Sequence, residues 1–259
     1  LATILTAAAT CVFCTPSYAL HPAEVAHPEG LAITASSARV IIVAGEPGGS
    51  VPNVRRRIEQ AFDARVIDHG GATEVGAWGF ADPARRGLLV NEREFIAEFL
   101  SPDSTRPASR GELAELVITN LGREGAPVIR YRTADLVRPE CRDESRTGFV
   151  LLDGGILSRT DEMAIVRGVN VFPSAIDEIL RGFPEVAEYQ TLVTRRGEMD
   201  QLTVEIEDGR DDPARIEQAF RVQLGLRVEI KIVPAGTLPR YEAKARRFHD
   251  RRFHDGAPA

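Results

Sequence analysis

Two short stretches carry side chains of the kind that manage phosphates. In Asp68-His69-Gly70-Gly71-Ala72-Thr73-Glu74-Val75-Gly76 the glycines let backbone approach a ligand closely. The Thr73 hydroxyl can donate to a phosphate oxygen, and the Glu74 carboxylate is a hard oxygen ligand of the sort magnesium takes. Tyr131-Arg132-Thr133-Ala134-Asp135 ends in an acidic residue at a strand end. Such a carboxylate either accepts both hydroxyls of a ribose or simply forms a turn. Gly45-Glu46-Pro47-Gly48-Gly49 is a glycine turn that lacks the Gly-Lys-Ser/Thr of a Walker loop. Lys244, in Leu238-Pro239-Arg240-Tyr241-Glu242-Ala243-Lys244, reads by itself as a solvated charge. Cys11-x-x-Cys14 has the spacing of a redox or metal pair. No second pair or histidine cluster stands at usable spacing, so both read as buried small residues.

The elements that would position these groups follow from periodicity. Arg39 to Ala44 and Arg65 to Asp68 are short apolar runs, hence strands, and Val51, Val54, Ile58 and Phe62 between them fall at helical spacing. Strand, turn, helix and strand in that order imply an α/β layer with sites at strand ends. Residues 87–133 read as strands at 87–90, 95–100, 113–119 and 128–131, forming a small β subdomain. Arg167-Gly168-Val169-Asn170-Val171-Phe172-Pro173 reads as a glycine turn, a strand and a helix start, with Ile176, Ile179 and Leu180 on one helical face. Strands near 188–195, 202–206 and 226–232, with a helix opened by Asp212-Pro213, complete a small α+β unit.

From Ser158-Arg159-Thr160-Asp161-Glu162 to Pro173 the chain closely resembles the hinge of the phenylacetate–coenzyme A ligase family, among the AMP-forming, adenylating enzymes. The resemblance runs from about Thr15 to about Arg247. It implies an α/β fold: the C-terminal part of a large nucleotide-binding domain with a small β subdomain over 1–160, then a small mobile α+β lid over 161–247. A disordered tail is expected over 248–259, where Arg246-Arg247-Phe248-His249-Asp250 is repeated as Arg251-Arg252-Phe253-His254-Asp255.

The resemblance also implies a site. Gly45, Glu46 and Pro47 would run along an adenine, Thr73 would bind a phosphate and Glu74 would hold magnesium. Asp135 would take the ribose, Arg159 would contact the nucleotide, Asp161 would be the hinge and Lys244 the catalytic lysine. The implied ligands are ATP and AMP, Mg2+, coenzyme A and a carboxylic acid, an aryl acid such as phenylacetate being the family's choice. The sequence departs from the family at Gly70, where an aromatic residue is usual, and at Ala134, Ser158 and Ala243, where glycine is usual. The family's phosphate loop has no counterpart here and no initiating methionine is present. The chain is therefore expected to be the C-terminal part of something longer, with a homodimer or a missing N-terminal half as partner. Two other readings stand beside the ligase. One is a different adenylating enzyme on the same scaffold; the other is an inactive or split fragment with residual nucleotide binding.

Composition narrows the classes. With 259 residues, 43% apolar, the chain can bury a large core in one or two domains. A net charge of −6 argues against a nucleic-acid surface. No apolar run reaches the roughly 18 to 20 residues a membrane helix needs. The apolar residues 1–20 lack the basic start of a signal peptide, the first Lys or Arg being Arg39, and are expected in the core. The three cysteines, Cys11, Cys14 and Cys141, suit a reducing, cytoplasmic compartment, and no zinc site is expected.

Overall fold

The protein is described by a computed structural model over residues 2–26, 33–102, 104–140, 148–196, 199–241 and 246–252. The chain opens with α1 (Ala2–Thr6), β1 (Cys11–Cys14), α2 (Pro16–Ala26), β2 (Val40–Val43), α3 (Pro52–Phe62) and β3 (Arg65–Ala72). Strands β1, β2 and β3 are parallel, with Cys14 opposite Val43 and Val43 opposite Asp68, so their carboxyl ends share one edge. Pro52 starts α3, where its missing N–H is harmless, and Asp63 in the left-handed region (φ 50°) ends it. The helix buries Val54, Ile58 and Phe62 with Ile41, Val43 and Val66, because apolar residues at this spacing share one face.

The chain continues through β4 (Gly76–Ala81), β5 (Gly87–Val90), β6 (Phe95–Leu100), β7 (Ala114–Asn120), β8 (Tyr131–Val137), β9 (Pro139–Glu140), β10 (Leu151–Asp153) and β11 (Ser158–Arg159). One sheet has the order β1-β2-β3-β4-β5-β10-β9, and a second β11-β8-β7-β6. Trp78, Leu88, Leu116, Ile118, Val137 and Leu152 form the core shared by these strands.

The last part holds β12 (Ala164–Val166), β13 (Val169–Val171), α4 (Pro173–Arg181), β14 (Val186–Arg196), β15 (Met199–Asp208), α5 (Pro213–Leu224), β16 (Glu229–Ile232) and β17 (Phe248–Asp250). β12 and β13 form a hairpin with only Arg167 and Gly168 between them. Both have positive φ (51° and 80°), the requirement of a twist-matched two-residue turn. A four-stranded sheet runs β16-β15-β14-β17, with both outer strands parallel to their neighbours. Ile176, Ile179 and Leu180 of α4 and Ile216 and Phe220 of α5 pack with this sheet into a core drawn only from residues after 163.

Four expectations need correction. The strand expected at 128–131 lies at 131–137: Arg130 takes a left-handed φ of 51° and breaks the extended run, leaving Ile129 exposed. The strand expected over 226–232 begins at Glu229, although Leu226 and Val228 are in the core. Residues 1–20 are not uniformly buried, because β1 pairs only with β2 at the edge of its sheet. Phe13 is 65% exposed and Cys11 is exposed, while Cys14 is half-buried against the core, so the two cysteines are not both buried. Finally, residues 248–252 are ordered. Phe248, His249 and Asp250 lie opposite Thr191, Leu192 and Val193, and Arg252 donates to Asp200 Oδ2 (2.7 Å) and to the Ile165 carbonyl (2.7 Å).

Candidate functional site

The carboxyl ends of β1, β2 and β3 deliver three loops to one edge, the place where open α/β sheets take ligands. The loop after β2 turns at Gly45, whose φ of 93° suits only glycine. Its Glu46 Oε1 accepts the Ser17 N–H from the first turn of α2 (2.6 Å), so this loop is fastened to the start of that helix. Burial and the Glu46 charge push the Cys14 thiol up to about 11, which keeps it an unreactive neutral thiol.

Thr73 and Glu74 stand exposed on the turn from β3 to β4. Arg123 Nη1 donates to both their carbonyls (3.2 and 2.8 Å), and Asn120 Nδ2 donates to the Val75 carbonyl (2.6 Å). The backbone of this turn is therefore held from outside while both side chains face solvent. Gly70 has a packing reason: a Cβ there would lie 2.9 Å from the Trp78 ring. Trp78 is only 1% exposed, so it fills the space without offering a face to a ligand. The neighbouring ring pair is His69 and Phe13, edge to face at 6.1 Å.

The second group is built by strand pairing. β11 runs antiparallel to β8 with Arg159 opposite Asp135. Arg159 Nη1 lies 4.0 Å from Asp135 Oδ1, and its Nε donates to Asp161 Oδ1 (3.0 Å). Thr133 Oγ1 accepts the Asp135 N–H (3.0 Å) and donates to the Leu116 carbonyl (2.9 Å), which fixes the irregular middle of β8, so Asp135 lies inside that strand and not at the strand end expected for it. One half-exposed guanidinium thus sits between two carboxylates, a pattern suited to phosphate and hydroxyl groups. Ser158, in the family's glycine position, is fully buried in β11.

Lys244 and Ala243 lie outside the described residues, as does Cys141. The flanks of that segment are informative. Arg247 donates through Nε and Nη2 to the two oxygens of Glu188 (2.6 and 3.0 Å) and through Nη1 to Ser17 Oγ (2.7 Å). Burial alone would push the Glu188 carboxyl up. The hydrogen bonds and charge of Arg247, with the charge of Arg181, outweigh that and hold it below the usual range. Sequence reasoning missed Ser17, Glu188 and Arg247 as a group, because they are brought together only by tertiary structure.

A second group it missed is Ser50 with Asp68. The Ser50 hydroxyl donates to the Asp68 carboxylate, and burial pushes that carboxyl up. They border a cavity of about 250 Å3 with Arg55, Arg65, Arg85 and Phe80. Among the described residues, no three His, Cys, Asp or Glu side chains cluster to hold a metal, and no helix is long and apolar enough to cross a membrane.

A family described as the AMP-binding enzyme C-terminal domain matches residues 168–252. The phenylacetate-coenzyme A ligase of Escherichia coli (strain K12) is 33% identical over 264 residues, covering 95% of this chain and 59% of that protein. A crystal structure of 2-hydroxyisobutyryl-CoA ligase in the postadenylation state, in complex with R3-HIB-AMP, is 30% identical with a TM-score of 0.86, over 95% of this chain and 55% of that one. The same ligase in the thioesterification state, with 2-HIB-AMP and CoA, gives a TM-score of 0.57 over 96% and 55%. This chain therefore superposes more closely on the first of these two structures than on the second. The chain spans a little over half the length of the relatives it matches. By these likenesses and the fold they share, the chain is similar over nearly all its length to a part of the phenylacetate–coenzyme A ligases, and its residues 168–252 match the AMP-binding enzyme C-terminal domain.

Proposed function

We propose that this chain serves an AMP-forming acid–thiol ligase, activating a carboxylic acid, an aryl acid such as phenylacetate, as its acyl adenylate and passing the acyl group to coenzyme A. In the first half-reaction a carboxylate oxygen attacks the α-phosphorus of ATP and the bond to pyrophosphate breaks. In the second, the thiol attacks the acyl carbon and AMP leaves. Charge builds on phosphoryl oxygens in the first step, so fixed cations and donors supply the catalysis.

In this reading Asp135 holds the ribose hydroxyls and Arg159 a phosphate oxygen, a positioning role. Gly45, Glu46 and Pro47 flank the adenine, with the His69 and Phe13 rings in place of the missing aromatic at Gly70. Thr73 donates to a phosphate. Magnesium bound beside phosphates needs only one or two protein carboxylates, which the exposed Glu74 fits; when bound, the ion would offset phosphate charge. Lys244 supplies a cation at the α-phosphate. The unit after Asp161 then swings about that residue, taking Lys244 away and bringing the Gly168 turn in for the thiol step. A cytoplasmic location belongs to the same proposal.

The observation that carries the reading is the meeting of Asp135, Arg159 and Asp161 in one set of contacts, the residues read here as ribose acceptor, phosphate cation and hinge. It is tested by AMP binding and by ATP–pyrophosphate exchange with phenylacetate and a panel of other acids. Exchange that depends on the acid, and AMP binding that Asp135→Ala weakens at least tenfold, are expected. A folded protein that neither binds AMP nor exchanges pyrophosphate with any acid overturns it.

A further inference from the structure

Arg247 follows closely on the segment that carries Lys244 and leads into β17. Its guanidinium makes a two-point pair with Glu188 and stands 5.5 Å from the centres of both the Tyr189 and Tyr241 rings. All these partners lie after Asp161, so the pair is preset within the C-terminal unit. One nitrogen, Nη1, is spare and reaches across to Ser17, 230 residues earlier (2.7 Å). Ser17 in turn donates its N–H to Glu46. A continuous path, Glu188–Arg247–Ser17–Glu46, therefore ties the unit carrying Lys244 to the loop after β2.

A second tie reports the same docking. Asn53 is the second residue of α3, so its N–H has no partner within the helix. Glu178 Oε2 takes it from across the boundary (2.7 Å), and the Glu178 carbonyl takes the Asn53 Nδ2 (2.6 Å). Rotating one unit against the other breaks Arg247–Ser17 and Asn53–Glu178 and leaves Arg247–Glu188 whole.

We infer that Arg247 is a positioning residue: Glu188 fixes its guanidinium in the C-terminal unit, and its free arm grips Ser17 to hold that unit docked for the adenylation step. The inference rests on the reaction proposed above, but its central contact is testable without substrate.

Ser17→Ala removes the acceptor and takes no apolar side chain from any of the three cores. Hydrogen exchange of the Asn53 amide in the full chain should then quicken about tenfold, the size expected for losing one hydrogen bond to a charged group. In the ligase, acid-dependent pyrophosphate exchange should slow by a similar factor. Thioester formation from supplied acyl adenylate and coenzyme A should stay at the unsubstituted rate. Arg247→Lys, which keeps the charge and loses the fork, should act in the same direction, with unchanged circular dichroism showing that the unit is folded. Unchanged Asn53 exchange in folded Ser17→Ala, or equal slowing of both half-reactions, overturns the inference. If no acid supports pyrophosphate exchange in the unsubstituted protein, the catalytic reading fails, and the amide measurement still decides whether Arg247 is a docking contact.

Discussion

At Ala134 the backbone has a φ of 62°, a left-handed conformation that costs a residue with a Cβ roughly 1 kcal/mol. Glycine, the usual residue before the aspartate proposed to bind ribose, would carry no such cost. The strain is carried at the break in register within β8, where the neighbouring Thr133 is bonded to the Leu116 carbonyl. Ala134→Gly is therefore expected to raise stability by about 1 kcal/mol, read as a higher denaturant midpoint. A lower midpoint would mean that Ala134 packs usefully. The sequence makes some such positions legible and hides others. Gly168 announces its positive φ by its type, whereas Arg167, its partner in the turn, does not. Gly70 looks like a lost aromatic until Trp78 is seen against it, a contact set by the pairing of β3 with β4.

Among elements, α3, α4 and α5 were readable because each combines helical spacing with a proline at its first turn. β17 was not. Its charged pentapeptide repeat has the composition of a loose tail, and its partner β14 is far away in sequence, so nothing local marks it as a strand. What secures it is electrostatic: Arg247 meets Glu188, which is 3% exposed and also lies 3.6 Å from Arg181. Glu188 is held below its usual range in the folded protein, so its stabilisation is complete above the ordinary carboxylate range and is lost as pH falls through the lowered value. Acid should therefore release β17. The amides of residues 248–251 should lose hydrogen-exchange protection on acidification, and Glu188→Gln should flatten that dependence while weakening protection at neutral pH.

For the molecule as a whole, the succession of an α/β layer, a β subdomain and an α+β unit was legible from the changing hydrophobic period. Their docking was not, because Asn53–Glu178 and Ser17–Arg247 join residues 125 and 230 apart. The core built from residues after 163 is separate from the two before it. Each can thus respond on its own. Phe220→Ala, which empties a fully buried ring from the last core, should cost about 3 to 5 kcal/mol there. In calorimetry it should move a transition belonging to the C-terminal unit and leave the remaining one in place; a uniform shift would show that the units melt as one. The position of β17 also bears on how the chain is made. On the ribosome β14 and β15 emerge well before residues 247–250, so β14 must wait with an unpaired edge and Glu188 without its guanidinium. Open edges of that kind recruit other strands. β17 covers Thr191 to Val193 of that edge and replaces it with a strand of only three residues, so a stalled or clipped product lacking it keeps the longer β14 edge open and should aggregate more readily.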